Sequence, residues 1–279
     1  LDANLQGINR DELDEVTGAT LNGFGNVLGV AGTSGRFSAE LEWKRTIIVP
    51  GGLAITPLFA VRGDALTIDT SDLIRSEAFR AIGTAGLDVR WPVLFSTTSA
   101  THVLEPVVQI FARNNERYAG ELPNEDAQSF VFDASNLLER DKFSGWDRIE
   151  GGTRANFALR YSGTYSNGWS ANALFGQSYH LAGQNPFASP DLVAVGAYSG
   201  LETDTSDFVA AAGLANGRGL SFGARGRFDE RTFETRRAEA EMEAYKAEQM
   251  AQLERAKAEK AKLEAETIVP TQIAREQAI

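Results

Sequence analysis

Strict alternation of apolar and polar residues limits the possible folds of this chain more than any other feature of its sequence. In residues 37–44, apolar side chains occupy the odd positions and polar side chains the even ones. Comparable stretches lie at residues 53–61, 83–91, 102–112, 155–161, 169–175, 192–198, 207–215 and 220–228. A period of two is the pattern of a β-strand whose two faces meet different surroundings. The sequence therefore predicts an all-β chain of about ten antiparallel strands.

The length of these strands distinguishes two kinds of sheet. They are near ten residues long, whereas strands of soluble sheets average about five or six. A strand that crosses a bilayer at a tilt needs about 9–11 residues. Aromatic residues near the strand ends fit the girdles of membrane barrels: Trp43, Trp91, Tyr161 and Trp169. We predict a segment of an antiparallel transmembrane β-barrel, and a soluble β-sandwich is the alternative.

The pattern divides the chain into four regions. Residues 1–35 are an irregular first strand region rich in Gly, Asn and Asp, in which residues 21–28 could form one strand. Residues 36–233 form the predicted barrel segment, in which Asp69–Arg80 is a polar connection. Residues 234–267 lack Gly and Pro and consist mainly of strong helix formers, which predicts a charged C-terminal α-helix. Residues 268–279 form a tail.

The longest irregular stretch, residues 123–152, interrupts the barrel segment. A connection of this length in a compact domain usually has a function. It begins with an acidic turn, carries several phenylalanines and ends at the paired glycines Gly151 and Gly152. Because strands precede and follow it, we expect this long loop to lie at a barrel rim. We also expect it to fold back over or into the barrel, with Asp147 and Arg148 as an internal pair.

Composition argues against several classes of function. The net charge of -11 disfavours a nucleic-acid partner held by phosphate contacts. The absence of cysteine excludes disulfides and thiolate metal sites. The two histidines, His102 and His180, lie in different predicted strands, and no nucleophile-elbow, P-loop or dinucleotide motif occurs in its required context. We therefore expect a protein that is not an enzyme and that holds no metal or cofactor.

The chain carries no visible targeting or spanning helix. No apolar run approaches the roughly 18 residues that a spanning helix requires. The sequence begins at Leu1 without a basic and apolar leader, so we expect no signal peptide in this chain. Barrel strands alternate and therefore escape such a hydropathy scan.

Several short motifs together resemble one known family. The long loop contributes Asn124, Glu125, Asp126, Phe143, Ser144, Gly145, Asp147 and Arg148, and the run Phe143–Arg148 is the most specific. Weaker matches lie at residues 62–64, 86–90, 105–109 and 227–230. Over roughly residues 35–235, their order resembles the barrel domain of the LptD family of lipopolysaccharide-assembly outer-membrane proteins. This family is also known as the organic solvent tolerance proteins, and the resemblance is to its alphaproteobacterial members.

The resemblance implies a β-barrel in the outer membrane of a Gram-negative bacterium that delivers lipopolysaccharide (LPS) to the outer leaflet. It implies LPS, a lipoprotein plug of the LptE type and periplasmic bridge proteins as partners. On this hypothesis, polar-face residues line the lumen and the LPS path: Glu105, Gln109, Arg154, Asn156, Arg160, Arg225 and Arg227. Arg154 and Arg160 are candidates for contact with lipid phosphates, since guanidinium forks bind phosphate well.

Comparison with the family's pattern also predicts an incomplete barrel. The family's periplasmic domain and its first and last strands have no counterpart here, so we expect a fragment, a natural truncation or a frame-altered product. Open strand edges leave backbone groups unsatisfied in hydrocarbon. We therefore expect the chain alone to aggregate or fail to insert. Two other functions stay open: a general diffusion or ligand-gated pore, and a surface adhesin or structural protein with the helix as a stalk.

Overall fold

The structure is a computed structural model that describes residues 1–11, 32–69, 76–118, 122, 124–127, 130–188, 199–217 and 219–232. These residues belong to the first of two units into which the chain divides, Leu1–Glu234 and Thr235–Ile279. The predicted helix at 234–267, the tail at 268–279 and the stretches 21–28 and 192–198 lie outside the described residues. None of the described residues belongs to a helix that is long and apolar enough to cross a membrane.

Eleven antiparallel strands form one sheet: β1 Asp2–Arg10, β2 Gly32–Lys44, β3 Ile47–Ile48, β4 Ala54–Asp69, β5 Glu77–Arg90, β6 Val93–Ser96, β7 Ala100–Arg113, β8 Thr153–Tyr165, β9 Trp169–Ala182, β10 Phe208–Asn216 and β11 Ser221–Phe228. The main order is β1-β2-β4-β5-β7-β8-β9-β10-β11, while β3 pairs with β4 and β6 with β7. A short 3-10 turn covers Pro186–Ala188. The predicted all-β antiparallel sheet is confirmed. Within the described ranges the sheet is open, with β1 and β11 at its edges.

The two faces of the sheet differ as the alternation predicts. In β4, Phe59 and Val61 are 57% and 64% exposed, whereas Ala60 between them and Arg62 after them are buried. Phe37 in β2 and Phe222 in β11 are likewise exposed. We call the apolar, exposed side the outer face and the opposite side the inner face. A soluble β-sandwich would bury its apolar face, so the exposed outer face favours a surface that meets lipid.

The connections at one end of the strands are all short, whereas most of those at the other end are long. Short connections at one end join β2 to β4, β5 to β7, β8 to β9 and β10 to β11. Longer segments at the other end join β1 to β2, β7 to β8 and β9 to β10, whereas the connection from β4 to β5 at that end, residues 70–76, is short. The longest connection between described strands, residues 114–152, contains the long loop predicted from the sequence. We call it the inner loop, because its described residues pack against the inner face.

The main apolar cluster lies between the inner loop and the sheet. Phe132 and Leu137 of the inner loop are fully buried in this cluster, which includes Val107, Ala158 and Val209 of the strands. Gly176 of β9 leaves room for the loop, because a Cβ there would lie 2.5 Å from Leu137 Cδ2. We call residues 130–138 the apolar anchor, since they attach the inner loop to strands β7, β8 and β10.

Candidate functional site

A row of arginines crosses the inner face beneath the inner loop. Strands β2, β4, β5, β7 and β8 each contribute one member: Arg36, Arg62, Arg80, Arg113 and Arg154, which we call the arginine wall. Every member is less than a tenth exposed. Guanidinium groups stay protonated in proteins, and a buried charge is costly unless it is paired. The wall therefore requires acceptors, and most of them come from the inner loop.

Arg80 has the largest set of partners. Its Nε donates to Asp64 Oδ2 at 2.7 Å and its NH1 to Glu116 Oε1 at 2.5 Å. Its terminal nitrogens also donate to the backbone carbonyls of Trp146 and Asp147, both at 2.9 Å. One guanidinium thus connects strand β4 with two separate parts of the inner loop.

Arg62 reinforces the same junction from β4. Its Nε donates to Asp64 Oδ1 at 3.0 Å, so Asp64 is shared between two strands' arginines. Arg62 also donates to the Trp146 carbonyl, and its guanidinium lies 4.7 Å from the centre of the Trp146 ring. A guanidinium over an indole face gains a cation–π attraction. Trp146 is therefore held by both its backbone and its ring.

Two turns of the inner loop bind each other through their backbones. The Asp126 carboxylate accepts the amides of Trp146 at 3.0 Å and Asp147 at 2.8 Å. In return, Asp147 Oδ2 accepts the amides of Glu125 at 2.7 Å and Asp126 at 2.9 Å. Carboxylates that accept backbone N–H groups form strong, charge-assisted hydrogen bonds. The two turns are consequently joined to each other by hydrogen bonds that involve no residue of the sheet.

Gly145 makes this close approach possible. Its φ is 78°, and a Cβ there would lie 2.5 Å from Asp126 Oδ1. Both facts favour glycine. The opposite turn is closed by Asn124, whose side chain accepts from the Ala127 amide at 2.9 Å and donates to the Ala127 carbonyl at 3.1 Å. We call the two turns, residues 124–127 and 144–147, the clasp.

The clasp is fixed to the sheet by cations of β1 and β2. Arg36 NH2 donates to Asp126 Oδ2 at 2.8 Å, and Arg36 NH1 forms an ion pair with Asp147. Arg10 of β1 pairs with Glu125 at 2.5 Å. Together with the bonds from Arg62 and Arg80, these contacts join the clasp to four strands of the sheet.

Glu150 joins the inner loop to the other end of the wall. Its carboxylate lies 2.6 Å from Arg154 Nε and 3.8 Å from Arg113 NH1. Burial alone would raise the pKa of Glu150, but the positive charges of Lys142, Arg113 and Arg154 lower it to about 2. Glu150 is therefore ionised at every physiological pH.

Other titratable groups of the inner loop have shifted pKa values as well. Burial lowers the pKa of Lys142 to about 8, and the charge of Glu150 opposes this shift. Burial raises the pKa of Glu116, although the charge of Arg80 acts in the other direction. Burial, together with the neighbouring Glu150, raises the pKa of Asp141. The loop therefore holds charged groups of both signs away from water.

A chain of hydrogen bonds leads from the inner loop along the inner face. Lys142 Nζ donates to Asn156 Oδ1 at 3.2 Å, and Asn156 Nδ2 donates to Gln109 Oε1 at 3.1 Å. Gln109 Nε2 then donates to Asp88 Oδ2 at 2.6 Å, which Arg90 also binds at 2.8 Å. These bonds connect the part of the inner face under the loop with the part near the short connections.

The part of the inner face near the short connections contains a cavity of about 370 Å³. Its lining includes Glu105, Arg160, Ser162 and Asn172. Arg160 NH1 donates to Glu105 Oε2 at 3.0 Å, and the two side chains are 46% and 19% exposed. This half of the inner face is therefore polar and accessible, in contrast to the half beneath the inner loop.

The residues predicted to line an LPS path fall into two groups. Gln109, Arg154 and Asn156 are buried near the inner loop, and Arg227 is buried against Asp207 at 3.2 Å. The more exposed members are Glu105 and Arg160 at the cavity and Arg225, which lies 3.9 Å from Asp133. Strand register puts all seven on the inner face. Their role in an LPS path stays a prediction.

The loop residues that carry the family resemblance have clear structural roles. Asn124, Glu125, Asp126, Gly145 and Asp147 build the clasp, while Ser144 is an exposed residue within it. Phe143 stacks on Phe187, with ring centroids 4.6 Å apart. Asp147 is held by Arg36 and by two amides, whereas the charge of Arg148 acts on Glu116.

Sequence reasoning missed most of the arginine wall and its acceptors: Arg36, Arg62, Asp64, Arg80, Arg113, Glu116 and Glu150. Arg62 and Asp64 were expected at a strand end, but β4 continues to Asp69. Arg80 was expected in the connection Asp69–Arg80, but β5 begins at Glu77. A usable signal was present, because an arginine recurs on the polar face of five successive long strands, β2, β4, β5, β7 and β8.

Comparison with protein families agrees with this architecture. Within the described ranges, no group of three or more His, Asp or Glu side chains is arranged to hold a metal ion. The search of curated proteins found no match. The family model for LptD, LPS transport system D, matches residues 2–267, which include the whole described sheet and the inner loop. The chain therefore belongs to the LptD family of outer-membrane LPS-transport proteins.

Proposed function

We propose that this chain forms part of the wall of an outer-membrane β-barrel that delivers LPS to the outer leaflet. The observation that carries the proposal is the family match over residues 2–267. The two faces of the sheet support it, since exposed Phe and Val on the outer face suit lipid and a polar inner face suits a wet lumen. Eight of the nine strands of the main order have nine residues or more, which is long enough for a tilted crossing of the bilayer.

The lengths of the connections suggest an orientation. Outer-membrane barrels have short turns on the periplasmic side and longer loops on the cell surface. On this rule, the short connections face the periplasm and the inner loop enters the barrel from the cell surface. The cavity beside Glu105 and Arg160 would then open toward the periplasm, the side from which LPS arrives.

The cavity is our candidate for the LPS path within this segment. Arg160 and Glu105 are partly exposed there, and the neighbouring Ser162 and Asn172 add polar groups. Gln109, Asn156 and the buried Arg154 continue the polar lining toward the inner loop, and Arg225 and Arg227 continue it along β11. An Arg160→Ala variant of the full-length protein is expected to slow LPS delivery, measured as the rate at which new LPS reaches the surface.

Site-specific photocrosslinking tests the proposed function directly. A photoreactive residue at Ser162, on the inner face, is expected to form adducts with newly made LPS in cells. The matched control is Leu104, which lies at the same level of the sheet but on the outer face. Adducts at Ser162 and few at Leu104 support passage along the inner face. Equal labelling at both positions, or none at Ser162, would contradict it.

The proposed partners follow from the family. We propose that a lipoprotein plug of the LptE type and periplasmic bridge proteins work with this barrel. Coexpression followed by purification of the outer-membrane complex tests this, and recovery of the chain without either partner would contradict it.

A diffusion or ligand-gated pore is the second candidate, and an adhesin or structural protein is the third. The family match favours neither of them. A pore would be expected to conduct ions steadily in planar bilayers whether or not LPS is added. The buried network between the inner loop and the wall argues against a wide, permanently open channel.

A further inference from the structure

The acceptors of the arginine wall come unevenly from the sheet and from the inner loop. For Arg36, Arg62 and Arg80, the strands supply one ion-pairing carboxylate within the described part of the chain, that of Asp64. Strand β1 adds the Asn4 side-chain oxygen, 3.0 Å from Arg36. The inner loop supplies the carboxylates of Glu116, Asp126 and Asp147 and the carbonyls of Trp146 and Asp147. Without the loop, these three guanidiniums would lack most of their partners.

The charge left on the sheet is suited to a phosphate. Once the clasp leaves, the three guanidiniums of Arg36, Arg62 and Arg80 remain with two carboxylates, that of Asp64 and that of Glu116, which lies outside the clasp. Their charges sum to +1 (three positive minus two negative). A phosphomonoester carries about -1.5 to -2 at pH 7 and has three strong acceptor oxygens. The arginines lie on adjacent strands, which are about 4.8 Å apart. Guanidinium forks bind phosphate oxygens in bidentate fashion, so a single phosphate group could engage more than one of them.

The two parts of the inner loop are attached by different forces. The apolar anchor is held by burial of Phe132 and Leu137 against the strands. The clasp is held by ion pairs and hydrogen bonds, and its own amide–carboxylate bonds are internal to it. A void of about 20 Å³ remains beside Arg36 and Asp147, where the clasp meets the sheet. The clasp can therefore exchange with another anion as a unit while the anchor stays in place.

We propose that Arg36, Arg62 and Arg80 form a binding site for a phosphate group of LPS, and that the clasp occupies this site until LPS arrives. The phosphate oxygens would take the places of the Asp126 and Asp147 carboxylates at Arg36 and of the Trp146 and Asp147 carbonyls at Arg62 and Arg80. Exchange of one anion for the other keeps the guanidiniums paired, which matters because an unpaired buried charge is strongly destabilising. This inference rests on the proposed function, since it requires LPS to enter the barrel.

Arg36 and Asp147 form one ion pair, and substitutions of the two residues are expected to change the affinity for LPS in opposite directions. Asp147→Asn weakens the attachment of the clasp, which competes with the phosphate for the arginines. It is therefore expected to tighten LPS binding by about tenfold, which corresponds to one ordinary charge-assisted contact. Arg36→Gln removes part of the site and is expected to weaken binding by a similar factor. Arg36→Lys, which keeps the charge but loses the fork, is expected to fall between Arg36→Gln and the wild type. A purely structural ion pair would give losses from both changes.

The experiment measures binding of fluorescent LPS to the purified full-length protein, in complex with its proposed lipoprotein plug, in detergent micelles. Lys44→Gln is the control for loss of one exposed positive charge, and heat-modifiable migration on gels verifies that each variant is folded. LPS stripped of its phosphates is expected to bind the wild type weakly and to show no gain with Asp147→Asn.

The outcomes separate the proposal from the function on which it rests. Intact LPS binding combined with unchanged or weaker binding by Asp147→Asn would overturn the phosphate site and leave the proposed function standing. Equal binding of intact and dephosphorylated LPS would do the same. If inorganic phosphate bound tightly and failed to compete with LPS, the site would belong to free phosphate. Absence of LPS binding by the wild type would overturn both.

Discussion

The inner face has two halves that share one sequence pattern and differ in their environment. Beneath the inner loop, Arg80 and Asp64 form an ion pair at 2.7 Å in which both side chains are 1% exposed. Near the short connections, Arg160 and Glu105 form an ion pair at 3.0 Å in which they are 46% and 19% exposed. The two distances are nearly equal. The covered half is a packed ion network, and the open half is a solvated wall.

Burial, and not distance, decides how much an ion pair on this sheet contributes to stability. An exposed pair gains little because water screens it and competes for its hydrogen bonds. In a buried network, loss of one member leaves the others charged, unpaired and out of reach of water. The covered half should therefore respond strongly to single substitutions, and the open half should tolerate them.

The largest effect is expected for Arg80→Ala. This change leaves Asp64 and Glu116 without their shared cation and frees two carbonyls of the inner loop. The free energy of unfolding is expected to fall by about 3–5 kcal/mol, as for other buried pairs that lose one partner. Urea unfolding in lipid vesicles measures it, and protease cleavage within residues 114–152 reports release of the loop. A loss below about 1 kcal/mol would place Arg80 with the exposed pairs.

The strands could be predicted from the sequence more fully than the candidate site could. Alternation in residues 37–44 and 83–91 correctly indicated the direction of each face, because period two directly encodes the pleat. It missed β1 and the continuation of β4 to Asp69, where small and polar residues on both faces weaken the pattern. Strand pairing followed from the order of the chain, since each long strand lies beside its sequence neighbours.

The candidate site was harder to predict, because it is made by contacts between distant parts of the chain. The long loop was correctly expected to fold back over the sheet. Its partners were not predictable, since Arg36 meets Asp126 across ninety positions of sequence and no local pattern encodes that contact. Gly145 illustrates the limit: its presence suggests a turn, but the carboxylate of Asp126 that excludes a side chain there appears only in three dimensions.

Glu150→Gln should produce the next largest effect, and acid should mimic it. The pKa of Glu150 in the folded protein is about 2, below its ordinary 4.5. The unfolded chain therefore takes up a proton near pH 4.5 while the folded chain does not. The stability that Glu150 contributes, about 3 kcal/mol, is present above pH 4.5 and is lost as the pH falls toward 2. The free energies of unfolding of the wild type and of Glu150→Gln should converge as the pH falls from 7 to 3. Parallel pH curves for the two proteins would contradict this role.

Lys142 should have a smaller effect on stability, because its loss of charge at alkaline pH is expected to stabilise the folded protein. Its pKa is lowered from 10.5 to about 8, so the unfolded chain holds a proton between pH 8 and 10.5 that the folded chain has released. Stability is therefore expected to rise with pH across this window, by at most about 1.4 kcal/mol per pH unit, because the unfolded chain binds more protons there than the folded chain. Lys142→Met should abolish the rise. If stability rose equally with pH in Lys142→Met, the rise would be due to other groups.

The smallest effect on stability is expected for Arg160→Ala in the open half. Its ion pair with Glu105 is exposed, and exposed pairs contribute about 0–1 kcal/mol. The midpoint of urea unfolding should therefore stay close to that of the wild type, while the same variant slows LPS delivery if the cavity is part of the path. The pair of measurements sharpens the contrast between the halves, because the covered half is expected to lose stability and the open half to lose transport. A large loss of stability from Arg160→Ala would show that the open half is packed in the membrane like the covered one, and the distinction between them would fail.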